Sequence, residues 1–168
     1  MGVTMVPLVV ESPTTCLRES LVMSSPSLFG TWNLLSWEIR SSDGTVAYPI
    51  GENPRGVITY DESGRMAVQV MQSDRPLSES ADPYAAAPEE IVSAWMGFIS
   101  YAGSYEHDQL NQRVIHHVEI CSFPNWVGSR QERFYEFDNG LLILSTPPIS
   151  LGGESSVSTL LWERMSRT

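Results

Sequence analysis

Two of the three histidines of this chain stand side by side in "RVIHHVEICSFPNW", from Arg113 to Trp126, with Glu119 close behind. These residue types suggest a metal site, an acid–base pair, or ordinary strand polarity. The stretch is rich in β-branched residues and reads as a strand, where successive side chains point to opposite faces. His116 and His117 therefore cannot reach one metal ion together. One face carries Arg113, Ile115, His117, Glu119 and Cys121; the other carries Val114, His116, Val118, Ile120 and Ser122. The second face is the more apolar and is assigned to the interior. His117 and Glu119 then form a surface pair. His116 is either a core histidine satisfied by hydrogen bonds or a general acid/base in an apolar cavity. A metal site would need a third ligand, and His107 sits in a loop without suitable geometry, so no metal is expected. Cys121 falls on the face opposite His116, which disfavours a Cys/His pair.

The segment "RQERFYEF" divides in the same way. Glu132, Phe134 and Glu136 are assigned to solvent, which turns Gln131, Arg133 and Tyr135 inward. A buried arginine must be paired or must meet an anion or a carbonyl. It is either a structural ion pair with an inward carboxylate or a clamp on a substrate oxygen. His116, Arg133 and Tyr135 form the catalytic candidates, able to polarise a carbonyl or move a proton. Tyr60, Gln69, Tyr101 and Tyr105 are expected to shape the cavity, with Ser122, Trp126 and Gln131 beside them. Trp95 and Phe98 either cap the mouth from a helix or belong to the core. Trp32, Trp37 and Trp162 are placed in terminal strands, as packing of the barrel floor. Met66, Met71 and Met96 offer adaptable apolar lining.

The elements that must position these residues follow from turn chemistry. Residues 1–27 are rich in Ser, Pro and Thr without periodicity and are read as a poorly ordered extension; the domain covers 28–168. From "LFGTWNLLSWEIR" onward, short aromatic and β-branched runs alternate with turns such as "SSDGT", "DESG" and Asp138-Asn139-Gly140. This is the pattern of β-hairpins. About nine strands are expected. Pro88, Glu89 and Glu90 open a helix read over about 88–100, with Ile91, Trp95, Phe98 and Ile99 as its apolar stripe. Hairpins in succession, closing near the C-terminus, favour an up-and-down barrel, which leaves no exposed edge.

Composition narrows the function. The 168 residues hold 42% hydrophobic and 18% charged residues, a globular balance for one domain. The net charge is −10, which argues against nucleic acid and against an anionic membrane surface. All ten basic residues are arginine, so Schiff-base chemistry on lysine is excluded. The two cysteines, Cys16 and Cys121, make neither a disulfide framework nor a CxxC motif, and a reduced cytoplasmic setting is expected. No apolar run is long enough to span a bilayer. Nucleotide-binding glycine motifs and GxSxG are absent, so no cofactor is expected.

The blocks "GTWNLLSWEIRSSDGTVAYPIGENPRGVITYDESGRMAVQVM" and "YAGSYE…VIHHVEICSFPNWVGSRQERFYEF…LLILSTPP…STLLWER" resemble the lipocalin-like domain family of bacteria and fungi. The resemblance covers about residues 28–165, and Gly30-Thr31-Trp32 is similar to the Gly-x-Trp opening of lipocalins. It implies a mainly β, antiparallel up-and-down barrel with an internal cavity, one helix lying near the mouth. It also implies accessory roles in natural-product pathways, where related barrels fold, cyclise or isomerise polyketide-like intermediates. The leading functional expectation is therefore a cofactor-independent cyclase or isomerase, with a pericyclase among the types considered, acting on a small hydrophobic polyketide- or terpenoid-like molecule. The alternatives are a non-catalytic carrier with the same cavity, and a scaffold or homo-oligomerising module whose barrel is filled. A barrel without a cavity of even ~300 Å³ would support the last and exclude the other two.

Overall fold

The computed structural model describes residues 27–151 and 153–166. The extension 1–27, Cys16 and Met23 lie outside these, except for Ser27. Ten strands are present among the described residues: β1 Gly30–Ser41, β2 Val46–Ala47, β3 Arg55–Tyr60, β4 Arg65–Met71, β5 Phe98–Asp108, β6 Arg113–Cys121, β7 Arg130–Asp138, β8 Leu141–Ser145, β9 Ile149–Leu151 and β10 Glu154–Arg164. Eight of them (β1, β3, β4, β5, β6, β7, β8 and β10) form a closed antiparallel barrel in which β1 pairs with β10. The short strands β2 and β9 extend it at β1 and β10. Closure gives every long strand two neighbours and removes the edge at which another chain could add.

The two ends of the barrel differ. At one end the strands join through tight turns at 61–64, 109–112 and 139–140. Asn139 and Gly140 both have positive φ, 48° and 83°, as a two-residue hairpin of this hand requires. This end is filled by Leu28, Trp32 and Leu142, all essentially without solvent exposure. Arg164 lies over the Trp32 ring at 4.1 Å and donates to the backbone oxygens of Phe29 and Ser27. The other end carries the long connections 42–54, 72–97, 122–129 and 146–153.

Strand alternation is interrupted twice, and both interruptions aim side chains into the interior. In β1 the register slips between Leu34 and Ser36, so that Leu34 faces Trp162 and Trp37 faces Leu160. Leu35 is the extra residue. Trp32 and Leu34 point inward before the bulge, and Trp37 does so after it. Trp37 therefore belongs to the wall near the long-loop end, not to the floor. In β6 Gly103 of β5 faces Val118 while Ala102 faces Ile120, which leaves Glu119 as the extra residue. A Cβ on Gly103 would stand 1.8 Å from the His117 backbone oxygen. The bulge reverses the faces expected downstream. Ile120 is 68% exposed, whereas Cys121 packs against the core.

Helix α1 spans Pro88–Met96 and is shorter than the expected 88–100. Pro88 begins it, and Glu90 accepts hydrogen bonds from the backbone N–H groups of Ala87 and Glu79. It ends at Gly97, whose carbonyl accepts from the Gln72 N–H, and Phe98 then pairs with Met71 as the first residue of β5. The apolar stripe is thus cut in two by the demand of β4 for a partner strand. Ile91 and Trp95 remain about half exposed, and the helix contributes no buried residue. No helix among the described residues is long and apolar enough to cross a membrane.

Candidate functional site

His116 lies inside the barrel and is 1% exposed. Both of its ring nitrogens are occupied: Tyr60 Oη is 2.8 Å from Nε2, and Tyr101 Oη is 3.0 Å from Nδ1. Tyr60 comes from β3 and Tyr101 from β5, so three strands converge on one imidazole. Burial, with the Arg133 and His117 charges adding to it, pushes the His116 pKa down to about 3. Burial likewise raises both tyrosine pKa values, although the Arg133 charge pulls both the other way. At neutral pH all three groups are uncharged.

The cavity lies on one side of this triad. Its volume is about 70 Å³. Ile58, Val68, Val70, Ile99, Leu144 and Leu160 make an apolar wall, and Trp37, Trp126 and Trp162 add aromatic surface. The polar lining is Tyr101, His116, Arg133, Thr146 and Ser158. Trp37, Val70, Ile99, Trp126 and Thr146 all stand near the long-loop ends of their strands or in the loops themselves, which places the cavity towards that end. A volume of this size holds about five waters at ~10–15 Å³ each. It is below the ~300 Å³ of a drug-sized pocket, so the closed volume by itself fits a filled barrel.

Arg133 shapes the chemistry. Its Cα is paired with Val114 on β7's neighbour β6. The guanidinium donates to Gln131 Oε1 at 2.6 Å and to its neighbour's carbonyl, Glu132 O, at 2.8 Å. Among the described residues no carboxylate lies within ion-pair distance of it, so the structural ion pair weighed from sequence is not what holds it. A cation faces an apolar cavity with neutral oxygen acceptors only. Trp162 adds its ring to the wall, while its indole Nε1 is buried and meets no hydrogen-bond acceptor among the described residues.

Several expected site residues stand elsewhere. Tyr135 is buried, but its hydroxyl pairs with His107 Nε2 at 2.9 Å, two residues further along β7 from Arg133, and it does not line the cavity. Tyr105, paired with His116 across β5 and β6, donates to Asp61 O, packs edge-on against Tyr60 and does not line the cavity. Gln69 points outward because Val68 and Val70 beside it point in. Trp95 is 48% exposed on α1, and Phe98 lies under the Arg75 guanidinium. Ser122 accepts from the Ser100 N–H as a strand tie. Met66 is core, Met71 is on the rim of an outer groove, and Met96 is exposed. His117 pairs with Glu106 and Glu119 with Arg65, so the expected His117/Glu119 pair is replaced by two cross-strand pairs.

Sequence reasoning missed Trp37 and Trp162, along with most of the apolar wall. For β4, β8 and β10 the signal was available, since the buried residues in each are all even-numbered: 66, 68 and 70, then 142 and 144, then 156, 158 and 162. Trp37 was hidden by the Leu35 bulge.

A closed eight-stranded antiparallel barrel with one helix and an internal, largely apolar cavity defines a lipocalin-like protein. The lipocalin-like domain family model matches residues 29–165, and the chain belongs to that family. A protein of Aspergillus oryzae named 4'-hydroxy-3'-methoxypropiophenone carrier protein is 32% identical over 109 residues, which cover 61% of this chain and 98% of that relative. No solved structure matches the chain.

Proposed function

We propose that this barrel binds and carries a small, largely apolar molecule of a polyketide or related natural-product pathway, held in the cavity beside His116. The observation that carries this reading is Arg133. Arg133 is half-buried, and its guanidinium, without a carboxylate partner among the described residues, stands at the wall of an apolar cavity. A bound oxygen atom gives it a purpose. The relative of similar sequence that is named as a carrier of an aryl ketone supports the same reading. Because the closed cavity is small, entry of a ring-sized molecule requires the long-loop end to yield around Trp126 and Trp37.

A cofactor-independent cyclase or isomerase is the second reading. Arg133 and Tyr101 at one wall would polarise a carbonyl, and the apolar surroundings would strengthen that effect. His116 contributes little as a base on this reading: a group with a pKa of about 3 is a weak acceptor at neutral pH. Carriage is therefore favoured.

Arg133→Met tests both. Met keeps an apolar stem of similar length and removes the charge. Binding of an aryl ketone, followed by quenching of tryptophan fluorescence, is expected to weaken about tenfold or more, while the melting temperature stays level or rises. Unchanged binding with a level melting temperature would remove Arg133 from the site, and failure of wild type to bind any such ketone would remove the carrier reading. Mass spectrometry of an acyclic polyketone incubated with wild type decides the second reading. Cyclised product above the buffer rate, lost in Arg133→Met, makes the protein an enzyme.

A further inference from the structure

We infer that the Tyr60–His116–Tyr101 chain is locked in one proton arrangement that presents the Tyr101 hydroxyl proton to the cavity, so that the site takes a ligand with a carbonyl or comparable acceptor oxygen. This rests on the ligand-binding reading above and specifies its chemistry. A neutral imidazole has one N–H donor and one bare nitrogen acceptor. One tyrosine must therefore donate to the ring and the other must accept from it. Tyr60 decides which. It is 1% exposed, and among the described residues its Oη meets no hydrogen-bond partner except His116 Nε2. If Tyr60 accepted from Nε2–H, its own buried O–H would have no acceptor, and an unpaired buried donor is costlier and rarer than an acceptor with a spare lone pair. Tyr60 therefore donates to Nε2. The ring proton then sits on Nδ1 and is donated to Tyr101 Oη. With Tyr101 Oη accepting from Nδ1–H, and with Arg133 beside the same cavity offering donors only, Tyr101 is left to donate its own proton.

That proton has the cavity to point into, since Tyr101 lines it. The rest of the polar wall has the same bias. Arg133, which lines the cavity, is donor-only. Ser158 already accepts from Trp37 Nε1, and Thr146 Oγ1 accepts from the Ser158 N–H, which leaves their hydroxyls to donate. A wall of donors around apolar surface matches a ketone, ester or enolate oxygen on a small hydrocarbon frame. It does not match a plain hydrocarbon of the same shape.

Two measurements on the full chain test this. Long-range proton–nitrogen NMR of His116 near neutral pH reads the tautomer without any variant: protonation at Nδ1 is expected, and protonation at Nε2 overturns the proposal. Propiophenone and propylbenzene, which differ by one carbonyl oxygen, are then titrated into wild type and Tyr101→Phe. Wild type is expected to prefer the ketone about tenfold or more, and Tyr101→Phe to lose most of that preference while still binding propylbenzene. Equal binding of both probes by wild type, or an undiminished preference in a folded Tyr101→Phe, overturns this proposal and leaves the carrier reading standing. Failure of both probes to bind wild type removes both.

Discussion

His116 cannot hold a charge where it sits, and this makes it a lever on stability. Its pKa of about 3 in the folded protein lies below the ordinary histidine value near 6.5. Between those two values the unfolded chain binds a proton at this position and the folded protein does not. Acid therefore favours unfolding, and the contribution is lost as pH falls from about 6.5 towards about 3. The slope is at most about 1.4 kcal/mol per pH unit for one group. Asp108, held down to about 2 by its hydrogen bonds from Asn111 and Arg113, adds acid sensitivity only below the usual carboxylate range. The comparison of wild type with His116→Gln isolates the histidine. Urea midpoints measured from about pH 7.5 to about pH 4.5 should fall steadily for wild type and much less for the variant, even though the variant starts lower. Parallel profiles would mean that His116 is not neutral in the folded state.

At the scale of elements, the bulges divide what the sequence discloses from what it conceals. Alternation placed His116 inward and Gln131, Arg133 and Tyr135 on one face of β7, and the barrel strands follow the turn chemistry closely. Alternation also contained the outward course of Gln69, which lies between the inward Val68 and Val70. It could not place Trp37, Ile120, Cys121 or Ser122, because each lies beyond an inserted residue, and an inserted residue reverses every face after it. The helix was legible at its start, where Pro88 and Glu90 act locally, and illegible at its end, where strand pairing of Phe98 overrides periodicity. Hydroxyl partners were not legible at all, since Tyr60 and Tyr101 reach His116 across sequence separations of 56 and 15 residues. The β6 bulge gives the second prediction. Gly103→Ala puts a methyl 1.8 Å from the His117 carbonyl oxygen, against backbone that is tied on its other side to β7. The variant should lose about 3 kcal/mol or more in urea denaturation, and its ligand binding should weaken as Tyr101 is displaced. A Gly103→Ala protein as stable as wild type would mean that the bulge is not formed at Glu119.

At the scale of the molecule, the barrel has one end built to stay shut and one able to open. The tight-turn end is sealed by Trp32 under the Arg164 guanidinium, by Leu28 and by Leu142. The cavity lies towards the other end, where Trp126 of the connection 122–129 lines it and the connection 72–97 also runs. Those connections bury little: Leu77, Tyr84 and Trp95 are exposed, and Trp126 rests on Tyr101 and Phe123 through edge contacts. Segments with few buried contacts open at small free-energy cost, whereas paired barrel strands open near the global limit. A cavity of about 70 Å³ that must admit a ring-sized ligand therefore gains its space here. Hydrogen exchange of the free protein should show fast amides across 72–97 and 122–129 and slow ones in β3, β4 and β10. On addition of propiophenone, protection should rise in 122–129 and at the adjoining ends of β4 and β5, and the turns at 61–64 and 139–140 should not change. Protection that appeared at those turns instead would place the entrance at the Trp32 end and refute the assignment of the mouth.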